Sequence, residues 1–385
     1  MSKSVAPVDQ TGSESATVVS HLHPVGSFVL ADHPAPSGKE EFWRFTPLAK
    51  VQDFFDDTLE RSSLDVHVEP GSGVGFGHLG LGQSPRGTVL TPVDRTSAIA
   101  AAVPQATHLV VEGTLERPVR VNIQGESLTH PTADHVVIEA LPQSCGTILL
   151  NHTGAARHIG NVEIIVGEGA NLTVVTLQDW APGSVHFGQH EALVGKDAVY
   201  RHIDVSLGGS LIRLQNNLSY ASIGGDAELY GVYFAQSGQH IEHRLFIDHD
   251  HPKGVSHVDY RGALQGEGAE SVWVGDVLIR PTAIGIETYE ANKNLVLTDG
   301  CRVHAVPNLE IETGEIVGAG HSASTGRFDD EQLFYLESRG IDETEARRLV
   351  VRGFFATILA RIGIEDVEET LMRRLDAELA FDKEN

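Results

Sequence analysis

Between about residue 96 and residue 318 one short β-type run follows another, and no amphipathic helix of about ten residues interrupts them. His108–Val111, Val136–Ile138, Thr147–Leu150, Val162–Val166, Leu172–Val175, Tyr200–Val205, Leu229–Phe234 and Val272–Val274 are rich in β-branched and aromatic residues. Gly and Asp cluster between them, as turns require. Within this stretch an X-G-x-x-A turn recurs ahead of a strand, at Gly167–Ala170, Gly195–Ala198, Gly224–Ala227 and Gly266–Ala269. The glycines stand 28, 29 and 42 residues apart, near multiples of fourteen. Stacked coils with two main strand faces give that spacing, and outward turns tolerate unequal lengths. A propeller requires a regular four-strand blade motif, which is absent; a sandwich or jelly roll stays open on pattern alone.

The flanks read differently. Residues 1–24 are rich in Ser, Thr, Val and Pro without a period and are expected to form a mobile leader. Residues 25–95 are expected to form a helical or mixed region: Phe42, Phe45, Leu48, Val51 and Phe54 fall at helix-like spacing, with Pro47 as a break, and a Gly-rich stretch follows. The β core spans 96–325. A helical domain, 326–385, begins with Leu333, Phe334 and Leu336 and stops at Gly340. Asp342 and Glu345 then form a capping-box-like start. The next apolar face is expected to be Leu349, Val350, Gly353, Phe354, Thr357, Ile358 and Ile362, and a last helix carries Leu371, Leu375 and Leu379.

Composition excludes several classes. The chain of 385 residues carries a formal charge of −25, unsuited to nucleic acid or an anionic membrane surface. Two cysteines, Cys145 and Cys301, build no disulfide framework and fit a reducing cytosol. No secretory signal and no apolar run of about 18 residues is visible, so a cytoplasmic protein is expected. P-loop, G-x-S-x-G and Cys-x-x-Cys motifs are absent.

Candidate ligands gather near the end of the β region. Cys301 follows the turn-forming Asp299-Gly300, His304 comes three residues later, and His321 lies in Gly318-Ala319-Gly320-His321. Thiolate and imidazole suit iron or sulfur, although a free Cys is more often a small buried hydrophobe. If twenty residues make one coil, Cys301 and His321 stack about 4.8 Å apart on one edge. His304, on a regular strand, faces away from Cys301 unless a bulge intervenes. The densest histidine run, His240, His243, His249, His251 and His257, suggests a metal-dependent enzyme, but these rings are expected mainly as solvated turn residues.

Pro307-Asn308-Leu309-Glu310-Ile311, Gly320-His321-Ser322-Ala323, Asp330 to Leu336 and Ser338-Arg339-Gly340-Ile341 together resemble the core of the SufB/SufD family of iron–sulfur cluster assembly scaffolds. Glu41 to Leu48 resembles the N-terminal signature of SufD-type members, and Asn292-Lys293-Asn294-Leu295 another family stretch. The resemblance implies a right-handed parallel β-helix flanked by helical regions. It implies a non-catalytic SufD-like scaffold that pairs with a SufB-like β-helix subunit, with a homodimer as the alternative. A SufC-type ATPase would dock on the C-terminal helices through Phe334, Tyr335, Arg339, Gly340 and Phe354. A transient iron–sulfur cluster would be shared with the partner near His321, Cys301 and His304, with no stably bound cofactor. Cys301 followed by His304 and Pro307 matches SufB-type relatives, whereas Ser322 stands where those typically carry Glu. A β-helix carbohydrate-active enzyme remains the rival, disfavoured by six per cent aromatics.

Overall fold

The computed structural model of the protein describes residues 25–57, 61–69, 73–328, 330–361, 363 and 365–380. Half the chain is strand and 16% helix, arranged as a parallel β-helix of about eight turns with small helices at both ends. The chain enters through β1 (Asp65–Val68), β2 (Gly75–Gly80), a capped helix α1 (Arg95–Ala101) and β3 (Gln105–Val111). Two 22-residue strands follow, β4 (Val119–Ala140) and β5 (Cys145–Val166). The rungs are β6 (Asn171–Trp180), β7 (Val185–Val194), β8 (Val199–Ser206), β9 (Leu211–Tyr220), β10 (Asp226–Ala235) and β11 (His240–His249). Then come β12 (Val255–Leu264), β13 (Glu270–Ile279), β14 (Glu287–Val296), β15 (Arg302–Ile311) and β16 (Gly318–Arg327). Helices α2 (Asp330–Ser338), α3 (Glu343–Leu359) and α4 (Glu365–Ala380) complete the described chain.

From β5 onward the strands divide by parity. β7, β9, β11, β13 and β15 stack in one parallel sheet and β6, β8, β10, β12, β14 and β16 in the other. The N-terminal half of β5 pairs with β6 and its C-terminal half with β7, so this strand belongs to both sheets. The inward column His158, His186, Ile212, Ile241, Ser271, Val303 advances by 26 to 32 residues per coil. The parallel ladders rule out the antiparallel sandwich and jelly roll.

The recurring glycines mark the two turn edges. Gly167, Gly195 and Gly224 lie on one edge, where Gly169 N–H donates to Lys196 O at 2.9 Å and Asp197 N–H to Ile223 O at 3.2 Å. Gly266 lies on the other, where Gly268 N–H donates to Gly300 O at 3.1 Å, so its 42-residue offset is a coil and a half. A Cβ on Gly195 would collide with Val166 O, and Gly224 has φ +81°, both of which exclude larger residues.

The outer faces are covered unequally. Residues 41–55 form three short 3₁₀ turns, Glu41–Trp43, Leu48–Lys50 and Gln52–Phe55, and not the expected helix-like run. Pro47, which lacks a donor, interrupts any longer ladder. This strap packs Trp43, Phe54 and Phe55 onto Val185, Phe187 and Leu211 of the odd sheet. On the even sheet, Val351, Phe355, Ile358 and Leu359 of α3 pack against Ile203, Val205, Val232 and Phe234. Asp342 caps α3 through Glu345 N–H at 3.1 Å, as its spacing implied. The buried face of α3 is rotated from the expected one: Leu349, Gly353 and Thr357 stay exposed. The helix bears on the sheet with Ala346, Val351, Phe355 and Leu359, which are buried. The leader expected over 1–24 lies outside the described residues.

Candidate functional site

At its C-terminal end the parallel stack stops with nothing laid over it among the described residues. β15 pairs only with β13 and β16 only with β14, so each has a free side. Residues that would be buried in mid-stack are exposed here. On β14, Thr288, Glu290, Asn292 and Asn294 are buried and face inward; their β16 partners are Ala319, His321, Ala323 and Thr325. Inward His321 is therefore open, its side chain 42% exposed. Ser322 faces outward, where its hydroxyl accepts from Tyr289 OH at 3.0 Å.

Glu290, beneath His321, was missed in the sequence. Its Oε1 lies 3.8 Å from His321 Nδ1 and has no hydrogen-bond partner among the described residues. Burial, reinforced by the Asp276 charge, pushes its carboxyl up to about 8. Both atoms can ligate one iron ion, since two bonds of about 2.1 Å reach across about 4.2 Å. The available signal was the period-2 run of polar residues at 290, 292 and 294, whose face the sequence alone could not assign.

Cys301 and His321 do not stack. A coil is not twenty residues but 26 to 32, because two ten-residue strands and two turns must be traversed. Cys301 sits in the turn before β15 and His321 in the opposite sheet. The Cys301 thiol donates to Gly266 O at 3.5 Å and lies 3.8 Å from Thr298 Oγ1. Burial raises its pKa, which favours thiol over thiolate, and the side chain packs on the interior.

His304 faces outward from β15. Its Nε2 lies 3.2 Å from Glu270 Oε1, and its ring lies tilted against Phe45 with centroids 4.7 Å apart. Glu270 also faces His240, whose hydrogen bond leads the causes that hold the Glu270 carboxyl down at about 2. His304 thus ties the strap to the last odd rung, where its partners are Glu270 and Phe45 and not Cys301 or His321.

The five-histidine run disperses. His243 and His249 face inward and are fully buried, His240 is buried beneath the strap, and His251 sits in a turn against Asp250 at 2.8 Å. His257 stacks on Tyr289 outside. Neither a convergent site nor the expected set of solvated turn rings results.

Comparison with known proteins decides the family. The model of the SUF system FeS cluster assembly SufBD core domain matches residues 121–354. The chain is 45% identical over 365 residues to an iron–sulfur cluster assembly SufBD family protein of Mycobacterium leprae, covering 92% of this chain and 93% of that one.

The chain belongs to the SufBD family.

It is more distantly similar to the iron–sulfur cluster assembly protein SufD of Escherichia coli, at 25% identity over 58% of this chain and 53% of that one. A SufBD family protein of Pyrococcus horikoshii is 30% identical over 64% and 55%. The matched span runs from the start of β4 into α3, so the open coil of this SufBD protein lies inside the shared region. No helix among its described residues is long and apolar enough to cross a membrane.

The C-terminal helices of this SufBD protein carry a second exposed surface. Phe334 is 73% and Tyr335 56% exposed, and the Arg339 guanidinium lies 5.0 Å from the Tyr335 ring. Gly340, with φ +85°, ends α2 beside them. Phe354 differs: it packs toward the β-helix, and its carbonyl accepts from Arg261 at 2.8 Å. Behind them a groove of about 820 Å³ runs between α3 and α4, lined by Leu349, Arg352, Gly353, Met372 and Arg373 among others.

Proposed function

We propose that this SufBD protein is a SufD-like, non-catalytic scaffold that pairs through its open last coil with a SufB-like β-helix chain and carries a SufC-type ATPase on its C-terminal helices. The observation that carries the reading is His321: an inward-facing imidazole left open at the unpaired end of a β-helix, over a buried carboxyl. The free sides of β15 and β16 present backbone donors and acceptors to a second β-helix.

In this arrangement the cluster is cargo. His321 offers a ring nitrogen, and Glu290 holds a proton that an arriving iron cation displaces, which converts it to a second ligand. The partner supplies the remaining ligands. Cys301, held as a thiol, becomes available only if its turn loosens. Phe334, Tyr335 and Arg339 offer the ATPase two aromatic anchors and a cation. Phe354 is better suited to transmit a movement of α3 to the sheet than to touch a partner. The similarity to SufD supports the subunit assignment, and cytoplasmic residence accords with it.

The test is reconstitution with a SufB-like chain and the ATPase. His321→Ala is expected to lower cluster formation by about tenfold or more while circular dichroism and complex assembly stay unchanged. Cluster formation at the wild-type rate would reject the role of His321. Recovery of a lone monomer by gentle purification from the native host would reject the scaffold reading.

A further inference from the structure

The interior of the β-helix holds a second constellation, remote from the last coil. His190 on β7 and His202 and Asp204 on β8 all face inward, and all are buried. One ligand atom from each lies within 4.8 Å of the others.

Their bonding is lopsided. Asp204 Oδ2 accepts from Asn216 Nδ2 at 2.6 Å and from Tyr260 OH at 2.8 Å, which fixes the carboxylate. Its Oδ1 has no hydrogen bond and points toward His202 Nε2, 3.4 Å away. Both nitrogens of His190 lack a partner among the described residues, although the ring is fully enclosed. Thr176 Oγ1 stands 3.1 Å from His202 Nε2. Each buried polar atom left unmatched costs about 1–3 kcal/mol, and nearby inward positions hold Leu or Val at no such cost.

We propose that His190, His202 and Asp204 bind one divalent transition-metal ion, of the zinc, cobalt or ferrous class, enclosed within the β-helix as a structural centre. Two ligands at about 2.05 Å on a tetrahedral ion are separated by about 3.35 Å, and His202 Nε2 to Asp204 Oδ1 is 3.4 Å. The His190 ring, which no hydrogen bond restrains, turns to complete the third bond, and the Thr176 hydroxyl or an enclosed water completes the fourth. Asn216 and Tyr260 orient the carboxylate, as outer partners do in metal sites. Neither His190 ring nitrogen is engaged by a hydrogen bond among the described residues, which leaves a nitrogen lone pair for an ion. The bonds that Asn216 and Tyr260 donate to Oδ2 favour the carboxylate form of Asp204. Two neutral imidazoles and a carboxylate leave a single negative charge for the cation to neutralise.

This site is independent of the proposed cargo site. His202 and His321 occupy the same inward column, which reads His202, Leu229, Val258, Glu290, His321. Four rungs at about 4.8 Å separate them by about 19 Å, and Leu229 and Val258 fill the space between. The ion is therefore captured as the coils close and does not exchange with cargo.

The test uses the full-length chain, unfolded with chelator and refolded with Co²⁺ or Zn²⁺. About one equivalent is expected to be retained through dialysis of the native protein against EDTA and released in guanidinium, and the Co²⁺ form should show visible d–d bands. Asp204→Asn and His190→Gln are each expected to lower retained metal about tenfold or more, whereas His321→Ala retains it. A colourless, metal-free wild type after refolding with Co²⁺ overturns the proposal even if neither variant folds. So does release to EDTA from the native fold, or wild-type content in both variants.

Discussion

The two outer faces of this β-helix are covered in opposite ways. The strap on the odd sheet is pinned by buried charge. Arg213 stands 3.3 Å from Glu242 and 3.3 Å from Asp94, lies over the Trp43 ring at 4.1 Å, and donates to Phe42 O at 3.2 Å. Thr46 donates to Glu242 at 2.7 Å. Burial opposes ionisation of Glu242, yet Arg213, His240 and Arg244 hold its carboxyl well below the usual range. The helices on the even sheet rest on an apolar contact, with polar ties mostly at its margin, from Arg374 to Asp179 and from Arg361 to Glu228 at 3.7 Å. Directional, desolvated bonds fix one register. An apolar contact is non-directional and tolerates sliding. One cover is a fixed part of the scaffold, and the other is suited to move.

The largest test of that contrast is Arg213→Ala. It strands Glu242 and Asp94 in a buried site, and a loss of about 3–5 kcal/mol is expected in guanidinium unfolding, with a shift in Trp43 fluorescence as the strap lifts. A loss below about 1 kcal/mol would erase the distinction between the faces. Phe355→Ala should cost about 3 kcal/mol, expressed as faster amide exchange in α3 and α4 with the strap unchanged. Equal acceleration in both covers would show that they open as one unit.

Glu290 sharpens the comparison at the end the two faces share. Its folded carboxyl is raised from 4.5 to about 8, so the protonated form is the native one. The contribution is complete below pH 4.5 and is lost as pH rises through about 8. Wild-type melting temperature should fall over that interval. Glu290→Gln should flatten the profile between pH 4.5 and about 8; an unchanged slope would assign the titration to another group. Phe334→Ser is the smallest in stability, within about 0.5 kcal/mol, yet should abolish capture of the ATPase in a pull-down. Intact capture would move the docking surface elsewhere.

The rungs were legible because each carries β-branched runs between Gly-marked turns, and the copies at Gly167, Gly195 and Gly224 do stack. Coil length near Cys301 was not, since the last two coils lengthen to 31 and 32 residues and a fixed period misplaces everything beyond them. His321 was singled out by resemblance, and its open position by none of the sequence patterns. Its companion Glu290 was not, because alternation says that 290, 292 and 294 share a face without saying which. The same ambiguity hid Tyr200, His202, Asp204 and Ser206, which a half-polar pattern would assign to solvent. The strap escaped helix rules because its aromatics are spaced for a sheet surface and Arg213, not for one another.

One strand decides where such a body can yield. Because β5 runs through both sheets without a break, the stack is bound along a spine at its first coils, as pages are at a book's back. Leverage from the helices cannot part the leaves there. What compliance the stack has lies toward its unbound margin, the end that carries His321.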